Sequence, residues 1–413
     1  MNFLERIFGE HHEGDRIYMD YAAATPLRHE VWESMRPIYR DVFGNASGVH
    51  KEGQRARRLI EEAREKVARQ LQIRTEDVIF TSGGTEANNL AIKGVIEAFR
   101  AEGVEYSDME IITTTLEHPS LFDTCRALKA SGVTVHEVSV NEDGLIVIAE
   151  FEKLLNEKTV LVATSLINSE IGVIQDTRKL KRLMKEKAPQ AVLLVDGAQA
   201  PLWENCQLEK IGADILTLDA GKFYGPKGVG ALARRHGVSL ASVTEGGGQE
   251  AGLRPGTENP ASVVGFNVAF TIAQENFERR REGVRELQKY FFEKVTKEIP
   301  EAIINGSVSE RVANNINISI PGLDTEFAVV VLDEHSIAAS TKSACSGAGG
   351  GESRVVKTIS GDARPDKPGG QAARATSTLR FTLGETSNKQ EIDTVIQVLK
   401  DHIEKMKKIT ISK

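Results

Sequence analysis

Short apolar runs alternate along the chain with longer stretches in which apolar positions recur every three or four residues. Val78-Ile-Phe-Thr, Ile111 to Thr114, Val133 to Val138, Val160 to Ser165, Val192 to Val195 and the run carrying Ile215, Leu216 and Leu218 read as buried strands. Before them, Gln54 to Leu71 places Ala56, Leu59, Ile60, Ala63, Val67 and Leu71 at helical spacing with charges on the other face. Further helices are expected from Ser82-Gly-Gly-Thr-Glu to about Ala101, from about Ser120, near Ile148 to Leu155 and near Arg178 to Lys187. Arg16 to Asp20 reads as a short strand before the small-residue turn Ala22 to Pro26. This alternation predicts an α/β fold with a doubly wound, mostly parallel sheet.

Around Asn259 the pattern changes. Val263 to Ile299 reads as one long helical stretch, and its charged run Glu278 to Glu282 as a solvated face. A strand over Asn315 to Ile320, a helix over Thr325 to Leu332, a strand over Leu379 to Leu383 and a helix over Lys389 to Met406 follow. We therefore expect a large domain over 16–260 and a smaller α+β domain over 261–413, with the N-terminal segment packing on the smaller one. The glycine-rich Ser346 to Gly351 and the Gly361 to Gly370 stretch are expected as loops.

Composition narrows the function. A chain of 413 residues is long enough for two domains and a substantial core. Its net charge of −7 gives no chain-wide electrostatic case for nucleic-acid binding. No segment approaches the roughly 20 apolar residues that span a bilayer, and the first residues, with Glu5, Glu10 and two histidines, lack a secretory signal. A cytoplasmic protein without a membrane segment is the expectation. Three scattered cysteines make neither a disulfide framework nor a metal site, so no metal is expected. Cys125, spaced with Leu121 and Leu128, reads as a core hydrophobe, and Cys206 is given no role. Cys345, bracketed by small polar residues and followed by four glycines within six positions, reads as an accessible thiol with chemistry to do.

The segment Asp219 to Gly228 holds Lys222 between Gly221 and Gly225, just past an apolar strand, which makes the lysine a candidate Schiff-base nucleophile. Asp196 ends the Val192 strand, at the sheet edge where open α/β folds bind ligands. An acid and a lysine at neighbouring strand ends are what pyridoxal 5'-phosphate requires: the lysine holds the aldehyde and the acid keeps the pyridine nitrogen protonated. Gly83, Gly84 and Thr85, between a strand and a helix start, form an anion site for the phosphate. Taken singly, Lys222 reads equally as a surface lysine, the glycine pair as a plain capped turn, and His118 as a structural histidine.

The order and spacing of the motifs add to these readings. Tyr18-Met-Asp-Tyr, Phe43-Gly-Asn45-Ala-Ser-Gly-Val-His50, Thr81-Ser-Gly-Gly-Thr-Glu86, Glu117-His118, Asn168-Ser-Glu-Ile-Gly172, Val195-Asp-Gly-Ala-Gln199, Lys222-Phe-Tyr-Gly-Pro-Lys-Gly228, Arg254-Pro-Gly-Thr257, Ser343-Ala-Cys-Ser346 and Leu379-Arg-Phe-Thr-Leu-Gly384 together resemble the cysteine desulfurases. These are class V aminotransferase relatives within the fold type I pyridoxal phosphate enzymes. The resemblance implies that His118 lies against the cofactor ring, Gln199 bonds its phenolic oxygen and Thr257 reaches the phosphate of a neighbouring subunit, hence a homodimer. It implies that Arg380 binds the substrate carboxylate, with Asn45 and Asn168 also in the substrate site. Lys222 would move the α-proton of L-cysteine. Cys345 would take the sulfur as a persulfide, release L-alanine and pass the sulfur to an acceptor such as an iron–sulfur scaffold, or toward thiolated cofactors and tRNA.

Three positions depart from the family pattern. Asp219 stands where a phosphate-binding serine is usual, Gly221 where a histidine precedes the lysine, and Ser169 where the second asparagine of an Asn-Asn-Glu motif is usual. A carboxylate at 4 Å from a phosphate charge costs on the order of 4 kcal/mol at an effective dielectric near 20. Asp219 must therefore point away, pair with a cation, or weaken cofactor binding. Ala46 and Gly48 also replace a usual proline and serine. The competing functions are a selenocysteine lyase or another class V lyase or transaminase that does not need Cys345, and a non-catalytic regulatory paralogue.

Overall fold

The computed structural model describes residues 16–341, 352–360 and 371–411. Cys345 and both glycine-rich loop expectations lie outside the described residues. The chain begins with β1 (Ile17–Tyr18), α1 (His29–Asp41), α2 (Lys51–Leu71), β2 (Val78–Thr81) and α3 (Gly84–Ala101). It continues through β3 (Glu110–Thr114), α4 (Pro119–Ala127), β4 (Thr134–Val138), α5 (Ile148–Leu154), β5 (Thr159–Ser165), α6 (Thr177–Lys187), β6 (Val192–Asp196), α7 (Leu208–Ile211), β7 (Ile215–Asp219) and β8 (Gly230–Arg234). Seven of these strands form one sheet in the order β2-β8-β7-β6-β5-β3-β4. Only β8 runs antiparallel to its neighbours, so the expected α/β, largely parallel architecture is present.

The sheet is covered on both faces, which is why its strands read as continuous apolar runs. Successive residues point to opposite sides. Leu161, Leu194 and Ile215 pack with Leu90, Val95 and Leu121 of α3 and α4. Their neighbours Val162, Leu193 and Leu216 share the other core with Ile60 of α2 and Met184 of α6.

After β8 come α8 (Pro260–Glu275), α9 (Phe277–Glu298), β9 (Ile303–Ile304), β10 (Asn315–Ser319), α10 (Thr325–Glu334), β11 (Ile337–Ala338), α11 (Arg354–Ile359), α12 (Gln371–Thr376), β12 (Thr378–Thr382) and α13 (Lys389–Ile411). β10 lies antiparallel between β9 and β12. The N-terminal strand β1 pairs in parallel with β11, and Asp20 bridges to Thr382. The first described residues are thus held by the last third of the chain.

Two sequence expectations need correction. The single helix over Val263 to Ile299 is two helices, because Asn276 leaves the helical region (φ −128°, ψ 15°). The run Glu278 to Glu282 is not simply a solvated face, since the Arg280 side chain is only 7% exposed. Its guanidinium turns back onto the open end of α8, donating to the carbonyls of Ala273 (3.0 Å) and Ile272 (3.4 Å), and pairs with Glu385 at 2.6 Å. A cation at a helix C-terminus satisfies carbonyls that have no partner within the helix. Helix α1 and strand β8 were also absent from the sequence reading. The first carries Val31, Met35 and Ile38 on one buried face, and the second is built of small residues.

A buried ion pair ties α2 and β2 to the segment before Arg254. Arg64 Nη1 and Nη2 donate to the two carboxylate oxygens of Glu250 at 2.6 and 2.8 Å, and Glu250 also accepts the Phe80 N–H at 2.8 Å. Truncating one partner leaves the other charge buried and unpaired, at a cost of about 3–5 kcal/mol. Glu250→Ala is therefore expected to lose stability of this order in urea unfolding, and a loss below 1 kcal/mol would show that the pair carries little of the fold.

Candidate active site

The carboxyl edge of the sheet opens into a cleft. Ser165, Asp196 and Asp219, the last residues of β5, β6 and β7, form its floor with the start of α3 that follows β2. His118 enters as the N-cap of α4, Ala22 and Ala23 come from the turn after β1, and Arg380 comes from β12. Of the residues singled out in the sequence, the cleft brings together Gly84, Thr85, His118, Asn168, Asp196, Gln199, Lys222 and Arg380. Asn45 and Thr257 do not line it. Both are exposed. Ser47 N–H donates to Asn45 Oδ1 at 2.9 Å, so that side chain serves its own turn.

One residue that sequence reasoning missed organises the floor. Asn88, buried on α3, donates from Nδ2 to Asp196 Oδ2 (2.9 Å) and Ser120 Oγ (3.0 Å), and its Oδ1 accepts from Thr217 Oγ1 (2.6 Å). Asp196 Oδ1 accepts the Ala198 N–H at 2.9 Å. The signal was present as an asparagine on the buried stripe of Ala87, Leu90 and Ala91. Ser120 carries the network to His118, whose Nδ1 lies 2.8 Å from Ser120 Oγ and accepts the Ser120 N–H at 3.1 Å. A backbone N–H can only donate, so Nδ1 is the acceptor and the neutral ring keeps its proton on Nε2. Burial pushes the His118 imidazole below its ordinary 6.5; Asp196 opposes this, while Lys222 and Arg354 add to it.

Lys222 follows β7 in a tight turn and donates from Nζ to the Ala23 carbonyl. Phe223 beside it is buried against Phe266 and Phe270 at ring distances of 5.4 and 5.9 Å, which anchors the turn in the core. Asp219 does not point away from the anion site. Its Oδ1 accepts the Gly221 N–H at 2.9 Å and its Oδ2 accepts the Gly84 N–H at 3.3 Å, at the first residue of α3. The Gly83-Gly84 turn lies directly on β8: a Cβ on Gly230 would meet Gly83 Cα at 2.7 Å, and Gly83 itself has φ 154°. Arg254 pairs with Glu86 at 2.8 Å, bringing the Arg254 to Thr257 segment to the first turn of the same helix.

Arg380 is almost wholly buried and is already engaged. Nη2 donates to Asp20 Oδ1 at 2.7 Å and Nη1 to the Ser169 carbonyl at 3.0 Å, while Nε is buried without a partner. Asn168 spends its carbonyl oxygen on the N–H groups of Glu170 and Ile171 and one amide proton on the Leu116 carbonyl, leaving a single N–H for a ligand. Gln199 donates to the Ala22 carbonyl at 3.0 Å. Cys125 and Cys206 are buried, and burial raises both thiols, which suits core packing rather than reactivity. Among the described residues no cluster of His, Cys, Asp or Glu could hold a metal ion, and no helix is long and apolar enough to cross a membrane.

This donor set fits pyridoxal 5'-phosphate. It offers a carboxylate at one strand end, a lysine at the next, a neutral imidazole between them and backbone N–H groups at a helix start, all facing one cleft. Asp196 still has acceptor capacity beyond its two bonds, as a pyridinium N–H requires. The mismatch is Asp219, which takes a donor that the phosphate would use.

The class-V aminotransferase family profile matches residues 17–395. The chain is 36% identical over 394 residues to cysteine desulfurase IscS of Dictyoglomus turgidum, covering 95% of this chain and 96% of the relative. It is 34% identical to cysteine desulfurase IscS 1 of Archaeoglobus fulgidus, covering 95% and 98%. Among solved structures, a NifS-like protein superposes with a TM-score of 0.85 at 30% identity, over 94% of this chain and 99% of that one. SspA in complex with cysteine superposes with a TM-score of 0.74 at 30% identity, over 89% and 98%.

The His118 environment gives a pH expectation. Its native pKa lies below that of the unfolded chain, so this contribution to stability is complete above about pH 6.5 and is lost as pH falls through the native value. An NMR titration of the imidazole should show a midpoint below 6.5 that falls further in Asp196→Asn. A midpoint at or above 6.5 would contradict the buried neutral ring.

Proposed function

The chain belongs to the class-V aminotransferases and is a cysteine desulfurase that uses pyridoxal 5'-phosphate, and from that membership we propose which of its residues carry the chemistry. The observation that carries the assignment is the convergence of Lys222, Asp196, His118 and Arg380 on one cleft. When bound, the cofactor supplies an electron sink for the substrate's α-carbon. Asp196 would hold the proton on its pyridine nitrogen, His118 would pack along the ring, Gln199 would bond its phenolic oxygen, and Gly84 and Thr85 would seat its phosphate.

Arg380 takes the α-carboxylate of L-cysteine. Its planar, buried guanidinium suits that task, and its unpaired Nε is a donor in search of an acceptor. Lys222 Nζ takes the α-proton, and its bond to the Ala23 carbonyl holds it at the mouth of the turn. Cys345 is the sulfur acceptor: its thiolate attacks the substrate sulfur, the C–S bond breaks with its electron pair left on the substrate's β-carbon, that carbon takes up a proton and leaves as L-alanine, and Cys345 keeps the sulfur as a persulfide for an acceptor protein of the iron–sulfur scaffold kind. Asn168 contributes its one remaining N–H to the substrate side, and Asn45 serves the same site from a second copy or after loop closure.

A homodimer completes this reading. Thr257 is exposed on a loop fixed at the start of α3, and its assigned role is at a second copy's phosphate seat. Phe43 and Val49, in the loop that carries Asn45, are 83% and 87% exposed, apolar surface that a second copy would cover. The division into a domain over 16–260 and one over 261–413 and a cytoplasmic location belong to the same proposal.

The deciding experiment is an absorbance spectrum of the purified protein before and after L-cysteine, with alanine and sulfide assayed under reductant. A violet-edge band that shifts with cysteine, with both products formed, is expected. Cys345→Ala should keep the band and lose persulfide formation; a variant that still desulfurates would favour a lyase such as a selenocysteine lyase. Arg380→Ala should raise KM for L-cysteine about 10- to 100-fold, the equivalent of losing about 1.5–3 kcal/mol of charged hydrogen bonding. An unchanged KM would remove Arg380 from the carboxylate site.

A further inference from the structure

The phosphate seat at the start of α3 contains an anion that belongs to the protein itself. Helix α3 has 18 residues, and its first N–H groups carry the positive end of the helix dipole. Asp219 Oδ2 sits on the Gly84 N–H, and a Cβ placed on either Gly83 or Gly84 would come within 3.5 Å of that same oxygen. The carboxylate is fixed there from its other side as well, because Oδ1 accepts the Gly221 N–H and caps the turn that carries Lys222. One backbone N–H makes one good hydrogen bond, so Asp219 and a cofactor phosphate cannot both hold the Gly84 N–H.

We propose that Asp219 is an internal anion that competes for the phosphate seat, so that the cofactor's phosphate binds only by displacing the carboxylate from the Gly84 N–H. The inference rests on the seat assigned above to Gly84 and Thr85. The displaced carboxylate has a cation to turn toward. Lys227, on the same loop, has its Cγ 3.7 Å from the position a Gly221 Cβ would take, and Asp219 Oδ1 lies 3.2 Å from that same point. Desolvation lowers the Lys227 ammonium, Asp219 counteracts this and Lys222 reinforces it, so the three charges act on one another. The exchange selects against the phosphate in particular, because the aldehyde, ring and pyridine nitrogen of the cofactor use other groups.

The test is equilibrium binding of pyridoxal 5'-phosphate and of phosphate-free pyridoxal, measured by dialysis and absorbance on the wild-type chain, Asp219→Ser and Asp219→Asn. Asparagine is isosteric and serine keeps an acceptor for the Gly221 N–H, so a folding defect in one variant leaves the other to decide. We expect both variants to bind the phosphorylated cofactor at least fivefold more tightly, with pyridoxal affinity within twofold of wild type. A gain below fivefold, or an equal gain for pyridoxal, would overturn the displacement. If the wild-type chain binds both forms alike, the seat itself is wrongly placed and the proposal falls with it.

Discussion

The site depends on one buried amide. Asn88 spends both N–H groups and its carbonyl on Asp196, Ser120 and Thr217, so a single side chain fixes the carboxylate at the end of β6, a serine in the first turn of α4 and the hydroxyl in β7. A leucine there would pack as well but would take away the partner of two buried polar atoms, Asp196 Oδ2 and Thr217 Oγ1, each costing about 1–3 kcal/mol. Asn88 is also four residues after Gly84 on the same helix, about 6 Å along its axis at 1.5 Å per residue. One rigid helix therefore sets the separation between the Gly84 N–H and the Asp196 carboxylate, the two groups proposed to hold the cofactor's phosphate and pyridine nitrogen. Spacing of this kind comes from secondary structure and needs no flexible loop to hold it.

The remaining wall is built from sequence-distant parts. The turn at 20–25 is wedged between the Lys222 turn and β12: Thr25 N–H donates to the Gly221 carbonyl, Thr25 Oγ1 accepts the Tyr224 N–H, and Ala22 N–H donates to Thr382 Oγ1. Asp20 in the same turn holds Arg380 across 360 residues of chain. The carbonyls of Ala22 and Ala23 meanwhile orient Gln199 and Lys222. Assembly of the cleft is thus among the most non-local events of folding, and it is complete only when both ends of the described chain have met.

What the sequence revealed and what it hid follow from this geometry. The strands were legible because both faces of the sheet are covered, and Lys222, Asp196 and Gly84 because strand ends and glycine turns mark the binding edge of such sheets. Asn88 was hidden because a polar residue on an apolar helical stripe reads as a flaw in the pattern until its partners, from β6, β7 and α4, are known. The break at Asn276 was hidden because apolar spacing runs through it, and the compensation comes from Arg280 reaching back to α8, which spacing does not register. The placement of Asp219 was open for the same reason: its sign gave the conflict with a phosphate, but only the meeting of β7 with the start of α3 gave the partner.

Arg380 and the start of α3 share a design. Both are proposed anion seats, and both hold a carboxylate of the chain, Asp20 in one case and Asp219 in the other. Leaving a buried guanidinium or a helix-end N–H without an acceptor is costly, so pre-pairing keeps the empty cleft satisfied. The consequence is that an incoming anion gains only the difference between its own bonds and those it replaces, which weakens binding and sharpens selection for ligands with good geometry. At Arg380 the conflict is partial, since Nε remains unpaired and the guanidinium can serve Asp20 and a second carboxylate at once. At Gly84 a single N–H is in question and no such sharing is available. Under the proposed assignment the two seats therefore differ in what an incoming anion must displace: Asp219 must leave the Gly84 N–H, whereas Arg380 can keep Asp20.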